Sequence, residues 1–422
     1  MRASGRSFAV LVPLVMLAGT PPVTNAPEPS GRPLASPAPR DSAQPQLAVA
    51  PDGTVFLTWL EKAGPDTHRF RFATLAPGAS AWSAAGTIHE GPGFFANWAD
   101  VPSLTVAPDG MLAAHWLQIS GDAKYAYDVK VRTSRDGGRT WSRAFSPHRD
   151  GTRTEHGFAS FFPWPGGGVG LAWLDGRDFA AHGGEAEHGM KGQMSLRAAR
   201  LTPGAAGEEM LVDARVCDCC PTSAVTTSRG VALAYRDRSA DEIRDIYVTR
   251  FHDGRWTEGR AAARDNWQIA GCPVNGPSMS AVGDQVALAW FAAPDSSGRV
   301  SVVFSDDGAA TFGPPVRVDD GTPLGRVDAE MLPDGTALVG WIEQVDKGAE
   351  FRVRRISPAG PQGASLTIAA LAAGRSSGYP RIARSGDRLV FAWVGARGVA
   401  TAVGGAAVAG RTVKQSGNST VR

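Results

Sequence analysis

Four cysteines are placed where chain folding can bring them together: Cys217, Cys219 and Cys220 in the run RVCDCCPTSA, and Cys272 further on. Thiolate sulfur is a soft ligand, so this group predicts either disulfide bonding or a copper or zinc site completed by His156 or His182. In the disulfide reading, one bridge staples the two loops. Four cysteines allow three pairings, and spacing alone does not choose among them. A bridge between the neighbours Cys219 and Cys220 is disfavoured, because successive side chains of a strand point to opposite faces. The loop HGGEAEHGMKGQM (182–194) adds two His and two Met, which are copper-compatible donors. Its glycine content fits a mobile lid better. The charged run RDRSADEIRD reads as a self-paired network.

The chain around these residues has 422 positions, with 43 Lys+Arg against 41 Asp+Glu and 43% hydrophobic residues. Near-neutral charge excludes the broad basic surface of a nucleic-acid binder. The apolar content excludes disorder of the whole chain. Arg2 and Arg6, the apolar run from Phe8 to Ala18, and the small residues ending at Ala26 have the form of a secretory signal peptide over residues 1–26. An exported protein, periplasmic or extracellular, is expected, with no membrane span. Residues 27–44, rich in Pro, Ser and Ala, read as a flexible lead-in, and residues 404–422 as a flexible tail.

Internal repetition decides the fold expected for residues 45–403. PQLAVAPDGTVFLTW ends at Trp59, PSLTVAPDGMLAAHW at Trp116 and FASFFPWPGGGVGLAW at Trp173. PTSAVTTSRGVALAY ends at Tyr235, PSMSAVGDQVALAW at Trp290, AEMLPDGTALVGW at Trp341 and PRIARSGDRLVFAW at Trp393. Each unit reads as an alternating strand, a Gly-bearing turn and a second strand closing on an aromatic. A charged third strand follows (DVKVRTS, DIYVTRF, VSVVFS, FRVRRIS), usually with a fourth. Four strands recurring about every 50 residues are the arithmetic of a β-propeller blade. Seven repeats predict an all-β, seven-bladed propeller, with a six-bladed form as the alternative. The last repeat lacks an evident fourth strand, so closure is expected to borrow one from the N-terminal side.

Two short motifs carry a resemblance. SRDGGRTWS contains Ser134, Asp136, Gly138 and Trp141, and SDDGAATF places Ser305, Asp307 and Phe312 in matching positions. Both resemble the Asp boxes of the sialidase (BNR-repeat) family, with Ala309 in the second where the pattern has Gly. The resemblance implies a propeller whose Asp boxes lie on the rim opposite the active site. It further implies a glycosidase of the exo-α-sialidase type, with a Tyr nucleophile, an Asp acid and an arginine clamp on the sugar carboxylate. The Arg-Ile-Pro triplet of such enzymes is missing ahead of the first repeat.

In a four-stranded blade, loops leading into the first strand share a rim with loops joining the second and third. That rim is expected to hold the site. Carried onto this chain, the resemblance implies Tyr379 as nucleophile, Arg381, Arg236 and Arg244 as clamp, and Asp100 or Asp328 as acid. Asn97, Trp98, Arg177, Asn275 and Arg326 are expected to line the same mouth and hold a glycan or other small ligand. The competing expectation is a non-catalytic propeller that binds a ligand, metal or partner through its Cys-rich rim.

Overall fold

The alternating repeats form antiparallel sheets. In the computed structural model, which describes residues 31–182 and 192–405, the first repeat gives strands Ala43–Val49, Val55–Lys62, Thr67–Leu75 and Gly86–Pro92, paired in that order. The first hairpin turns at Gly53 (φ 84°), and Asp52 accepts the amide of Thr54 at 2.9 Å. The same Asp-Gly device recurs at Asp109 and Asp334, which accept the amides of Met111 and Thr336 at 3.1 Å. Glycine takes the left-handed conformation there without steric cost, while aspartate closes the turn from its side chain.

Seven such sheets make a seven-bladed β-propeller, and the six-bladed alternative falls away. The later blades open with innermost strands Ser103–Val106, His156–Pro163, Ser223–Thr227, Ser278–Val282, Pro323–Met331 and Arg381–Ser385. In blade two a single bridge between Val131 and Phe145 stands in for the fourth strand. Blade seven supplies Arg381–Ser385, Arg388–Gly395 and Gly398–Gly405, and its outer strand is Arg32–Leu34. Arg32 pairs with Val403 and Leu34 with Thr401. The expected lead-in therefore contains a structural strand, and the borrowed segment closes the ring. The segment expected to be a signal peptide and the residues beyond 405 lie outside the described residues.

Aromatics ending the second strands form the core between blades. Trp59, Trp116, Trp173, Tyr235, Trp290 and Trp341 are all at most 1% exposed. A buried indole N–H needs an acceptor, and two residues further along a strand returns to the same face. So Trp59 donates to Glu61, Trp116 to Gln118, Trp173 to Asp175 and Trp341 to Glu343. Tyr235 donates instead to Asp213 at 2.6 Å.

Around the axis, polar side chains of one innermost strand reach the backbone of the next. Asp100 accepts the amide of Phe158 and Asp328 that of Ile382. Ser223 and Ser278 accept from Met279 and Ala329. The two motifs that resemble Asp boxes lie after the third strands of blades two and five. Asp136 accepts the Thr140 amide, Ser134 accepts the Gly138 amide, and the second box repeats both bonds. Ala309, in place of the expected glycine, adopts φ 63°. Trp141 meets Phe72 of the preceding blade edge-on, with centroids 6.2 Å apart.

Leu34 anchors the closing strand among Val55, Leu75, Val390 and Val403. Leu34→Asp is expected to lose roughly 2–4 kcal/mol, measured as a lower urea midpoint. Arg32→Ala on the same strand, at an exposed position, should shift it by less than about 0.5 kcal/mol.

Candidate functional site

The mouth of the propeller collects loops far apart in sequence. A cavity of 470 Å³ is lined by Asn97, Trp98, Lys124, Tyr125, Glu155, Asp218, Cys219, Cys272, Val274 and Arg375. These positions precede first strands or join second to third strands, as the blade geometry requires. Asn97 shapes its loop by accepting the amide of Ala99 at 2.9 Å, which presents Trp98 to the cavity. Arg326 lies 4.6 Å from the Trp98 ring and Arg375 5.9 Å from it. Below, the axial channel (410 Å³) includes Asp100, Asp328, Tyr379 and Arg381 in its lining.

Backbone strain concentrates at this rim. Phe158, Val274 and Arg326 have φ values of 49°, 47° and 54°, a region that side-chain-bearing residues rarely occupy. The pairing register shifts beside Phe158 and again beside Arg326. Such bulges re-aim a strand end, and here one turns the Phe158 amide onto Asp100.

Several expected roles meet other partners. Tyr379 is 3% exposed, and its hydroxyl donates to the carbonyl of Val274 at 2.6 Å. Burial raises its pKa further above the usual phenol value. The Tyr379 hydroxyl is thus engaged by a backbone carbonyl of another loop and not by a carboxylate. Arg236 donates to the carbonyls of Asn275, Arg244 and Phe291, and Arg244 pairs with Glu242. Arg326 donates to Gly374, Ser377 and Gly378, and Arg177 pairs with Asp175 and Glu209. Arg381 stacks over Tyr379 at 5.4 Å. Arg236, Arg326 and Arg177 thus brace neighbouring loops, Arg381 lines the axial channel, and among the described residues Arg375 alone of the arginines lines the 470 Å³ cavity. Asp328 links blades six and seven, and Asn275 accepts the Arg326 amide at 2.7 Å.

A different set comes together at the seam of blades two and three. The Tyr127 hydroxyl lies 2.7 Å from Glu155 and 3.3 Å from Asp100. Burial pushes Glu155 up from 4.5 to about 8, against the lowering effect of the Tyr127 bond. Burial likewise pushes Asp100 up to about 7, against its bonds from Phe158 and Tyr127. Glu155 therefore carries a proton at neutral pH while lining the cavity. Tyr127 is absent from the residues expected from sequence. Its position at the start of a third strand, on the same rim, was the available signal.

The cysteines divide. Cys219 and Cys272 form a disulfide across 53 residues, joining the loops ahead of blades four and five. Cys217 and Cys220 are free and buried, with their sulfurs 2.9 Å apart. Burial raises the Cys217 pKa, but the Cys220 hydrogen bond and then the Arg244 charge outweigh it and bring it to about 7. His156 is not beside them. It sits with Asp128, Asp150 and Asp175, and His182 is an exposed residue bonded through its amide to Phe179. Most of the Gly-rich loop, His188 included, lies outside the described residues.

No family model and no curated protein matches the chain. Among solved structures, it is similar to a protein of unknown function from Dyadobacter fermentans, at 13% identity and TM-score 0.48, covering 90% of this chain and 99% of that one. It is also similar to the polysaccharide lyase Uly1, at 9% identity and TM-score 0.51, covering 87% and 91%. A third is the Hadza microbial sialidase Hz136, at 15% identity and TM-score 0.42, covering 71% and 63%. At such identities the likeness shows the propeller fold alone.

The raised Glu155 pKa has a thermodynamic consequence. Between about pH 4.5 and 8 the folded state holds a proton that the unfolded chain releases. Stability therefore falls as pH rises through that window. Glu155→Gln should flatten this slope, leaving the melting temperature near wild type at pH 4.5 and above it at pH 8.5.

Proposed function

We propose that the protein is a carbohydrate-active propeller that binds a sugar in the mouth between Trp98 and Glu155. The reading rests on one observation, a buried carboxyl, Glu155, bonded to the Tyr127 hydroxyl at the floor of an aromatic-walled cavity. Trp98 and Tyr125 offer apolar faces, while Asp218, Lys124 and Arg375 offer polar groups around them, the mixture a sugar ring requires. The finer proposal is glycoside hydrolysis, with Glu155 as general acid to the leaving oxygen. Tyr127 and Asp100 are of the residue types that the sialidase resemblance calls for, in place of Tyr379 and its neighbours. Because Arg236, Arg244 and Arg326 are engaged internally, the proposed sugar need not be carboxylated. Export is proposed from the N-terminal segment, and the Cys219–Cys272 bridge suits an oxidising compartment.

A second reading, binding without catalysis, is favoured by the complete burial of Tyr127. A panel of fluorogenic glycosides, with glycan binding measured in parallel, separates the two. Catalysis predicts turnover that Glu155→Gln lowers roughly 10²–10⁴-fold while binding persists. Binding alone predicts no turnover with any member of the panel, and affinity lost on Trp98→Ala. Neither turnover nor glycan binding would reject the carbohydrate reading.

A further inference from the structure

Directly after Glu155 the strand turns a second ionisable side chain the other way. Successive residues of a strand face opposite sides, so His156 points away from the mouth into the body of the blade two–three seam. There its imidazole is fully buried. Nδ1 lies 3.1 Å from the carbonyl of Thr154, the kind of bond that fixes a ligating histidine and leaves Nε2 free to bind. Nε2 faces two carboxylates, Asp150 Oδ2 at 3.2 Å and Asp175 Oδ2 at 3.8 Å.

These three groups are close, and no aligned hydrogen bond joins them. His156 Nε2 and Asp150 Oδ2 are both buried and face each other as an ion pair at 3.2 Å without the geometry of a hydrogen bond, and Asp150 Oδ2 also faces His148 Nδ1 and Arg177 Nη2 at 3.4 Å. A shared proton requires near-linear alignment. An ion sits off the line between its ligands instead. Ligands about 2.0–2.1 Å from a tetrahedral zinc ion stand about 3.3 Å from each other, which is the scale of the separations here. We infer that His156, Asp150 and Asp175 form a binding site for one divalent transition-metal ion of the zinc class, on the far side of the strand from the sugar cavity.

The surroundings support the ligands. His148 stacks on His156 with centroids 3.9 Å apart and planes at 3°. Parallel rings cannot both aim in-plane lone pairs at one ion between them, so His148 supports the ring and water takes the fourth position. Asp175 is further oriented by Trp173 and Arg177. Around the site, four acidic groups, Asp128, Asp150, Asp175 and Glu209, face three basic ones, Arg177, Arg197 and Lys130. Asp150 belongs to the connection leaving blade two, and His156 and Asp175 to blade three. The ion would clamp that seam behind Tyr127 and Glu155, independently of what the mouth binds.

The test is equilibrium dialysis of tag-free, full-length protein against zinc(II) chloride, with bound metal counted by elemental analysis. One zinc per chain is expected for the wild type and for the Cys217→Ser/Cys220→Ser variant, and at least tenfold weaker retention for Asp150→Asn. Zinc should raise the wild-type melting temperature, and a chelator should reverse the gain. Should Asp150→Asn fail to fold, cobalt(II) substituted into the wild type reports the ligands. Bands without thiolate charge transfer support the site, and a strong thiolate band overturns it. A zinc-free wild type with an unchanged melting temperature also overturns it.

Discussion

The structure depends on closing a ring. A four-stranded blade has two faces to bury, and only a neighbour on each side can cover both. Blade seven brings three strands of its own, and the pairing of Arg32–Leu34 with Gly398–Gly405 supplies the fourth. Segments from opposite ends of the described chain are thereby held by ordinary backbone hydrogen bonds, and an unpaired sheet edge is covered. Near the axis, the bonds from Asp100, Ser223, Ser278 and Asp328 to the next blade's backbone hold neighbouring strands in fixed register. Closure and register together fix the shape of the mouth.

That constraint explains why so many charged groups at the rim have internal duties. Loops from several blades bring backbone carbonyls and carboxylates close together there. Arg236 and Arg326, both under 10% exposed, answer this by donating to carbonyls of neighbouring loops. A planar guanidinium with several donors suits such bracing. An arginine chosen for the sequence pattern of a carboxylate clamp can therefore serve as a brace in the folded chain. The seam of blades two and three is the exception in kind. One strand start there places Glu155 toward the cavity and His156 toward a second polar pocket behind it.

The cysteine cluster shows how far spacing carries. Its gathering into one sector of the rim follows from the repeat length, because Cys217–Cys220 and Cys272 precede consecutive blades. Which sulfurs meet depends on loop direction, and it is Cys219 that reaches Cys272. The association of His156 with the sulfurs failed for the same reason. Its strand position turns it toward Asp150 and Asp175, while Glu155 beside it turns toward the mouth.

The sequence by itself determined the sheet-forming repeats, their number, the aromatic positions between blades, the two Asp-bearing turns after third strands and the rim on which loops converge. These follow from period-two alternation and local turn chemistry, which act over a few residues. It also indicated that the last blade needed a strand from elsewhere. Only the tertiary structure decided which side chains touch: that Tyr127 meets Glu155 and Asp100, that Tyr379 binds a carbonyl, and that the arginines brace the scaffold. Those contacts join residues from different blades, and their directions depend on bulges and left-handed φ values at strand ends. Such features arise from packing around a closed ring, which no short stretch of chain encodes alone.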